Sequence, residues 1–282
     1  MNEKLGSKIA EGGCSEVFEW EDRSKLIKLA KMNTNYGAMK REYDNNCMAW
    51  NCGLSVAEPY EMVEVDGRPG IVFERIYGET LKERFFKQIM KQPADLDGSD
   101  IQITARILYE IHNKKIDIDL PSHQRDNIKH GINRVEYLTS VEKEAVITHL
   151  DSLPSKQTLC HGDPNPGNIL ITNDGKAVVI DWMDASIGNP EADLAEYIMM
   201  IRYAILPPHL PAIISTYFDS IRETAIQLFM DEYTQLSGIT YRDVAPWFTP
   251  IAARKLSADA ISEDEKAVLV EVIRNTIKES ED

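Results

Sequence analysis

Residues 161–168 read HGDPNPGN, and two apolar runs follow, ILIT (169–172) and AVVI (177–180), before Asp181. A His, two carboxylates and carboxamides beside runs that read as buried strands sit where a core would exclude them. Taking Asp174-Gly175 as a two-residue turn, the strongest short hairpin signal, Thr172 faces Ala177, Ile171 faces Val178, Leu170 faces Val179 and Ile169 faces Ile180. The next pair is Asn168 opposite Asp181. Opposed residues of an antiparallel ladder lie about 4.5–5.5 Å apart at Cα, so an amide oxygen and a carboxylate are expected side by side. Magnesium is held by one or two such hard oxygen donors, completed by water and phosphate oxygens. Asp163 stands before them across a loop stiffened by Pro164 and Pro166, with Gly167 free to take positive φ. Phosphoryl transfer asks for this set: one group to orient a hydroxyl and accept its proton, others to hold metal on the phosphates.

Such a site needs a cation toward the phosphates. In KLIKLA (25–30), Lys28 lies between Ile27 and Leu29, within a strand, where a lysine either snorkels to water or has an anionic partner. Glu42, on the helix expected over NYGAMKREYDNNCMAWNCGL (35–54), is a candidate partner. Gly12, Gly13 and Ser15 in AEGGCSEV form a flexible turn able to approach phosphates, although the full G-x-G-x-x-G spacing is missing. The first 76 residues read as a β-meander, one helix and a second hairpin turning at Asp66-Gly67. From about Leu81 the pattern is mostly helical, as in ITARILYEIHN (103–113) and a last helix opened by a Ser262–Glu265 capping box with a Leu269, Val272, Ile273, Ile277 stripe. The expected fold class is therefore α+β, a strand-rich lobe (residues 1–76) followed by a larger helical lobe (residues 77–282), with the boundary near Arg75–Gly78.

The composition narrows the partners. A formal net charge of −15 falls mostly on residues 77–282, because residues 1–76, with 10 basic and 13 acidic side chains, carry only −3 of it. Binders of nucleic acid need basic patches, so nucleic acid is not expected; a cationic small substrate would suit the charge. No apolar run approaches a membrane span, and the first residues lack a signal-peptide core. Cys14, Cys47, Cys52 and Cys160 show no metal-binding spacing, which fits a reducing, cytoplasmic setting.

The chain resembles the aminoglycoside phosphotransferase/choline kinase-like family, which has the bilobal protein-kinase-like fold. The resemblance is carried by HGDPNPGN (161–168) and IDW (180–182), with GNPEADLA (188–195), LIKL (26–29), REYD (41–44), FERIYGETL (73–81) and LYEIH (108–112) in the family's order. It implies a small antiparallel-sheet N-terminal lobe that binds nucleotide, a larger helical lobe, and the nucleotide in the cleft between them. It implies that Asp163 is the catalytic base, that Asn168 and Asp181 hold Mg2+, and that Lys28, oriented by Glu42, contacts the phosphates of ATP or GTP. The backbone around Glu74–Ile76 would pair with the purine, His161 would support the catalytic loop, and Asp193 would brace the segment after the metal ligand. The chain departs from many members at Asn165 (where they have His), Met183 (an acid) and Asn189 (Asp).

The expected reaction is transfer of a γ-phosphoryl group to a hydroxyl of a small molecule: an aminoglycoside-type antibiotic or related cationic, hydroxylated metabolite, or alternatively choline, thiamine, methylthioribose or homoserine. Asp184, Glu191, Glu196, Asp231 and Glu232 are candidate acids for an acceptor's ammonium groups, and Trp182, Tyr197, Tyr203, Trp247 and Phe248 candidates for an aromatic wall. Taken singly, these read better as solvated helix surface and as core. A protein kinase is excluded because DWMDASIGNPEADLAEYIMMI (181–201) returns to a helical pattern with no activation segment and no Asp-Phe-Gly. A catalytically inactive nucleotide-binding module would be expected to have lost the base, the metal ligands or the lysine, and all are present.

Overall fold

The computed structural model describes residues 4–21, 23–91, 97–115, 123–258 and 261–281. In chain order the elements are β1 (Leu5–Glu11), β2 (Ser15–Trp20), β3 (Lys25–Ala30), α1 (Tyr36–Asn51), β4 (Pro59–Val65), β5 (Arg68–Glu74), β6 (Gly78–Thr80), α2 (Leu81–Lys91) and α3 (Ser99–His112). They continue with α4 (Gln124–Arg134), α5 (Ser140–Ser152), β7 (Thr158–Cys160), a 3-10 turn (Pro166–Asn168), β8 (Ile169–Thr172), β9 (Ala177–Val179) and β10 (Ser186–Gly188). Helices α6 (Pro190–Tyr203), α7 (Ala212–Ser237), α8 (Tyr241–Val244), α9 (Phe248–Lys255) and α10 (Glu263–Glu281) complete the chain.

Two compact units emerge, Met1–Leu81 with Gly167–Ala185, and Lys82–Pro166 with Ser186–Asp282. A single cut after residue 76 was expected; the contacts instead assign the β8–β9 hairpin to the first unit. The reason is strand pairing. Thr80 of β6 pairs with Leu170 of β8, the Val179 amide donates to Ser55 O at 2.8 Å, and the Ser55 hydroxyl donates to Ala177 O. A Cβ on Gly78 would lie 2.4 Å from Ile171 O, so only glycine lets β6 approach this closely.

The first unit is a five-stranded antiparallel sheet in the order β1-β2-β3-β5-β4. Side chains alternate across a strand, so β3 sends Ile27 and Leu29 into one core, with Trp20, Val65 and Val72. Its other face sends Ala30 and the half-buried Leu26 into a second core, with Met39 of α1, Ala57, Ile71 and Phe73. Lys28 shares that second face and so points toward α1. Asn35 caps α1, accepting from the Ala38 amide at 2.9 Å. Asp66 and Gly67, at φ 52 and 76, turn β4 into β5 as the Asp-Gly pair predicts.

In the second unit α6 is buried along nearly its whole length, and Pro190 and Glu191 open it as a helix N-terminus favours. Strands β7 and β10 pair antiparallel beneath it, Cys160 opposite Ser186. Ser262 caps α10 through the Glu265 amide at 3.2 Å, but the Glu265 carboxylate accepts from the Ile205 amide, also at 3.2 Å. A reciprocal capping box forms instead at α5, between Thr139 and Glu142. No helix among the described residues is long and apolar enough to cross a membrane.

Candidate active site

In the first unit, Lys28 Nζ stands 2.5 Å from Glu42 Oε1 and 2.9 Å from Asp181 Oδ1. The Glu42 side chain is 2% exposed, that of Lys28 13% and that of Asp181 40%, so the group is most open to solvent at Asp181. Burial alone would push the Lys28 ammonium down, but the Asp181 and Glu42 carboxylates hold it above its ordinary value. Burial also pushes the Glu42 carboxyl up, with the Lys28 ammonium opposing. Glu42 Oε2 is buried without a hydrogen-bond partner. The partner expected for Lys28 is thus present, and Asp181 is a second one.

The hairpin forms with a register one residue away from the expected one. Ile169 pairs with Val179, Leu170 with Val178 and Ile171 with Ala177. Asn168 O accepts from the Ile180 amide at 2.9 Å, so Ile180, not Asp181, lies opposite Asn168. The loop has three residues, Asn173 to Gly175. The Gly175 amide closes on Thr172 O at 2.9 Å and Gly175 takes φ 85, a turn followed by a left-handed residue. The Thr172 hydroxyl accepts from Lys176 N and donates to Lys176 O, both at 3.0 Å, locking that length. Asp181 therefore lies just beyond the ladder, at φ 64, left-handed and costly for a non-glycine.

The turn over Gly12 to Ser15 is braced rather than loose. The Gly12 amide donates to Ser15 O at 2.9 Å; Lys31 Nζ holds Gly12 O at 2.7 Å, Asn33 holds Gly13 O at 3.2 Å, and the Lys31 amide holds Cys14 O at 2.9 Å. A Cβ on Gly13 would meet nothing within 4 Å, so the turn is open there, and Ser15 is buried. At the far end of β5, Glu74 donates its amide to Glu58 O at 2.9 Å and Arg75 donates to Ser24 O at 3.2 Å. Ile76 packs half-buried on the core under α1.

In the second unit, Asp193 in the first turn of α6 gathers the loop that precedes the hairpin. Its Oδ2 accepts from the His161 amide at 2.7 Å and its Oδ1 from the Gly162 amide at 3.1 Å, with Gly162 at φ 82. His161 Nδ1 accepts from the Asp163 amide at 3.3 Å. His112 completes the group: Nε2 meets Asp193 Oδ2 at 3.2 Å and Nδ1 meets the Tyr233 hydroxyl at 2.7 Å. His161 and Asp193 therefore shape the backbone on either side of Gly162 and so present Asp163. Cys160 lies in the same cluster, where its sulfur, a His112 nitrogen and an Asp193 oxygen fall within 4.8 Å of one another. Burial pushes that thiol far up, and both His112 nitrogens and both Asp193 oxygens are already bonded, so the cluster is a saturated brace and not a metal site.

The two acceptor sets fare differently. Glu196 is buried against Arg254 at 2.6 Å and Lys255 at 3.2 Å. Burial would push it up, but those two cations hold it below the usual carboxylate range. Glu191 pairs with Lys156, Glu232 with Arg106 at 2.6 Å, and Asp231 accepts from Gln227 at 2.6 Å, while Asp184 is exposed. Trp182, Tyr197 and Trp247 are core. Asn189, where many relatives of the resembled family have Asp, accepts from the Lys156 amide and donates to Glu191 Oε2 at 3.4 Å, a contact an acid would turn into repulsion. Sequence reasoning gave no role to His112, Tyr233, Arg254 or Asn45. Only His112 left a signal, in LYEIH.

The sequence profile of the phosphotransferase enzyme family matches residues 28–226. Among solved structures, aminoglycoside phosphotransferase APH(4)-Ia shares 13% identity, with a TM-score of 0.65 over 98% of this chain and 93% of its own. Choline kinase LicA from Streptococcus pneumoniae shares 15% identity, with a TM-score of 0.61 over 98% and 95%. A thermostable mutant of APH(4)-Ia, in ternary complex with ADP and hygromycin B, shares 14% identity, with a TM-score of 0.59 over 98% and 94%. No curated protein matches the chain in sequence. The fold is thus the bilobal kinase-like one, and a profile that spans most of the chain, Lys28 through Asp193 included, makes this protein a member of the phosphotransferase enzyme family.

Proposed function

We propose that the chain transfers the γ-phosphoryl group of ATP or GTP to a hydroxyl of a small molecule, with magnesium. The observation that carries the reading is the Lys28 ammonium held between buried Glu42 and half-exposed Asp181, at 2.5 and 2.9 Å. A part-buried lysine kept charged in this way is pre-set to meet phosphate oxygens. The donor set fits a divalent cation: Asp181 offers a carboxylate open to solvent and Asn168 a carboxamide, both hard oxygens. When bound, the metal would neutralise charge on the β- and γ-phosphates.

The residues of the chain supply the rest. Lys28 binds the phosphates, and Glu42 fixes its direction. The open turn at Gly13, entered by Ser15, covers them, and the stretch from Glu74 to Ile76 pairs with the purine. Because the Glu74 and Arg75 amides are spent within the unit, that pairing falls on Ile76 and on carbonyls. Asp163 orients the acceptor hydroxyl and takes its proton, with His161 and Asp193 fixing the loop on which it sits.

For the acceptor we favour an aminoglycoside-type or related cationic, hydroxylated molecule. The acidic balance of residues 77–282 supports this, as do neighbours that carry the names aminoglycoside phosphotransferase and choline kinase. The ammonium groups would meet acids other than Glu191, Glu196 and Glu232, which the chain's own cations already hold. The test is magnesium-dependent ADP or GDP release across aminoglycosides, choline, thiamine, methylthioribose, homoserine and simple sugars. Release that requires one acceptor group supports the reading and names that group. Nucleotide binding that is blind to magnesium and unchanged in Lys28→Met contradicts it.

A further inference from the structure

We infer that Asn45 of α1 is a positioning residue for Asp181, acting through the backbone carbonyls of Trp182 and Ala185; this rests on the reading of Asp181 as a metal-holding group. Four non-glycine residues among those described take positive φ. Glu21 and Arg23 lie in the turn between β2 and β3, and Asp66 shares the Asp66-Gly67 turn with a glycine. Asp181, at φ 64, follows β9 and leads into the short turn before β10. A non-glycine persists in this region when its surroundings over-determine it, so the question is what holds Asp181 there.

Three contacts within the first unit bracket it. Before it, the Ile180 amide is tied to Asn168 O at 2.9 Å. At its side chain, Lys28 Nζ holds Oδ1 at 2.9 Å. After it, the chain turns back as the Ala185 amide donates to Trp182 O at 3.2 Å. Asn45 Nδ2 reaches the same turn from α1, donating to Trp182 O at 2.9 Å and to Ala185 O at 3.3 Å. Glu42 and Asn45 are three residues apart and so lie on one face of the helix. That face therefore holds both ends of the segment, the Asp181 side chain by way of Lys28 and the backbone after it by way of Asn45.

The amide makes these bonds at a cost. Asn45 is 1% exposed and its Oδ1 has no hydrogen-bond partner in the protein. A leucine would fill similar space without burying an unmatched oxygen. The next residue, Asn46, supplies a natural control. It is equally buried, and its Nδ2 donates to Ala57 O at 2.9 Å, in the connection from α1 to β4, away from residues 181–185.

The experiment compares ADP affinity by calorimetry in magnesium and in EDTA, the ratio of the two being the magnesium coupling. Asn45→Leu is expected to lower the coupling about tenfold while leaving ADP affinity in EDTA unchanged. Asn46→Leu should lower Tm to a similar extent and leave the coupling at the wild-type value. Coupling in Asn45→Leu within about twofold of wild type, with Asp181→Asn showing its loss, overturns the role of Asn45 alone. Coupling that is missing from the wild type, or survives in Asp181→Asn, overturns the reading of Asp181 and the role of Asn45 with it. Should Asn45→Leu fail to fold, Asn45→Ser, which keeps a donor, is expected to show intermediate coupling; wild-type coupling there counts against the proposal.

Discussion

The two units hold their polar groups by opposite means. In the first, charge does it: Lys28 lies between two carboxylates, one of them half-exposed, and buried acceptors on Glu42 and Asn45 have no protein donor. In the second, saturation does it: Asp193 takes two backbone amides and a histidine, and that histidine takes a tyrosine, all of it buried except the Gly162 amide. The first arrangement leaves buried acceptors unmatched and holds a residue in a strained conformation. The second leaves none and fixes the shape of a loop. One unit keeps buried acceptors unmatched, while the other fixes the backbone before Asp163.

Among variants of the first unit, Asp181→Ala has the largest expected effect on activity. Turnover should fall about 10²–10³-fold or more and the magnesium coupling of ADP binding should vanish, while Tm stays near wild type. A turnover loss without loss of coupling would break the assignment of the first unit to metal and phosphate.

Asp193→Ala should do the reverse. Two buried amides and His112 lose their acceptor, so stability is expected to fall by about 2–4 kcal/mol in denaturant titration, with ADP affinity kept in the folded fraction. A variant as stable as wild type would show that the network is not a brace.

Lys28→Met sharpens the comparison through pH. Without the ammonium, the buried Glu42 carboxyl, already pushed up, has less to keep it charged. An acid whose folded pKa lies above its unfolded value loses stability as pH rises from the unfolded value to the folded one. Lys28→Met should therefore lose stability relative to wild type as pH rises above about 4.5, the ordinary glutamate range. Adding Glu42→Gln should restore much of it at pH 8, by about 1–3 kcal/mol. Identical pH profiles for the two variants would contradict the coupling.

The smallest effect belongs to the surface. Glu142 caps α5 and meets Arg274 at 2.6 Å, which, with its cap hydrogen bonds, holds its carboxyl down to about 2. Glu142→Ala should cost about 1 kcal/mol at pH 7. Because the folded pKa is depressed, that difference should shrink as pH falls from about 4.5 toward 2, measured as the Tm gap between the two proteins.

What could be read in the sequence was local. The Asp66-Gly67 turn, the span of α1 and the Lys28–Glu42 pairing follow from spacing and strand alternation over a few dozen residues. The β8–β9 register did not, because Asn173-Asp174-Gly175 serves a two-residue or a three-residue loop and only the backbone at Gly175 decides between them. The brace around Asp193 was half legible, since its bond to the His161 amide spans 32 positions and its histidine partner lies 81 away. Tyr233, 121 residues from His112, and Arg254, 92 from Gly162, sit on helices whose patterns report only burial. The same limit hid Asn45, a buried polar residue of α1 that lies 137 positions from Trp182.

The most direct test of the account is Asp163→Asn, with kcat for acceptor-dependent release of ADP and the Kd for ADP in magnesium measured side by side. The prediction is a fall in kcat of about 10²–10⁴-fold with Kd unchanged. Unchanged kcat, or kcat and Kd lost together, would contradict the division of labour between a unit that binds the donor and a loop that presents the base.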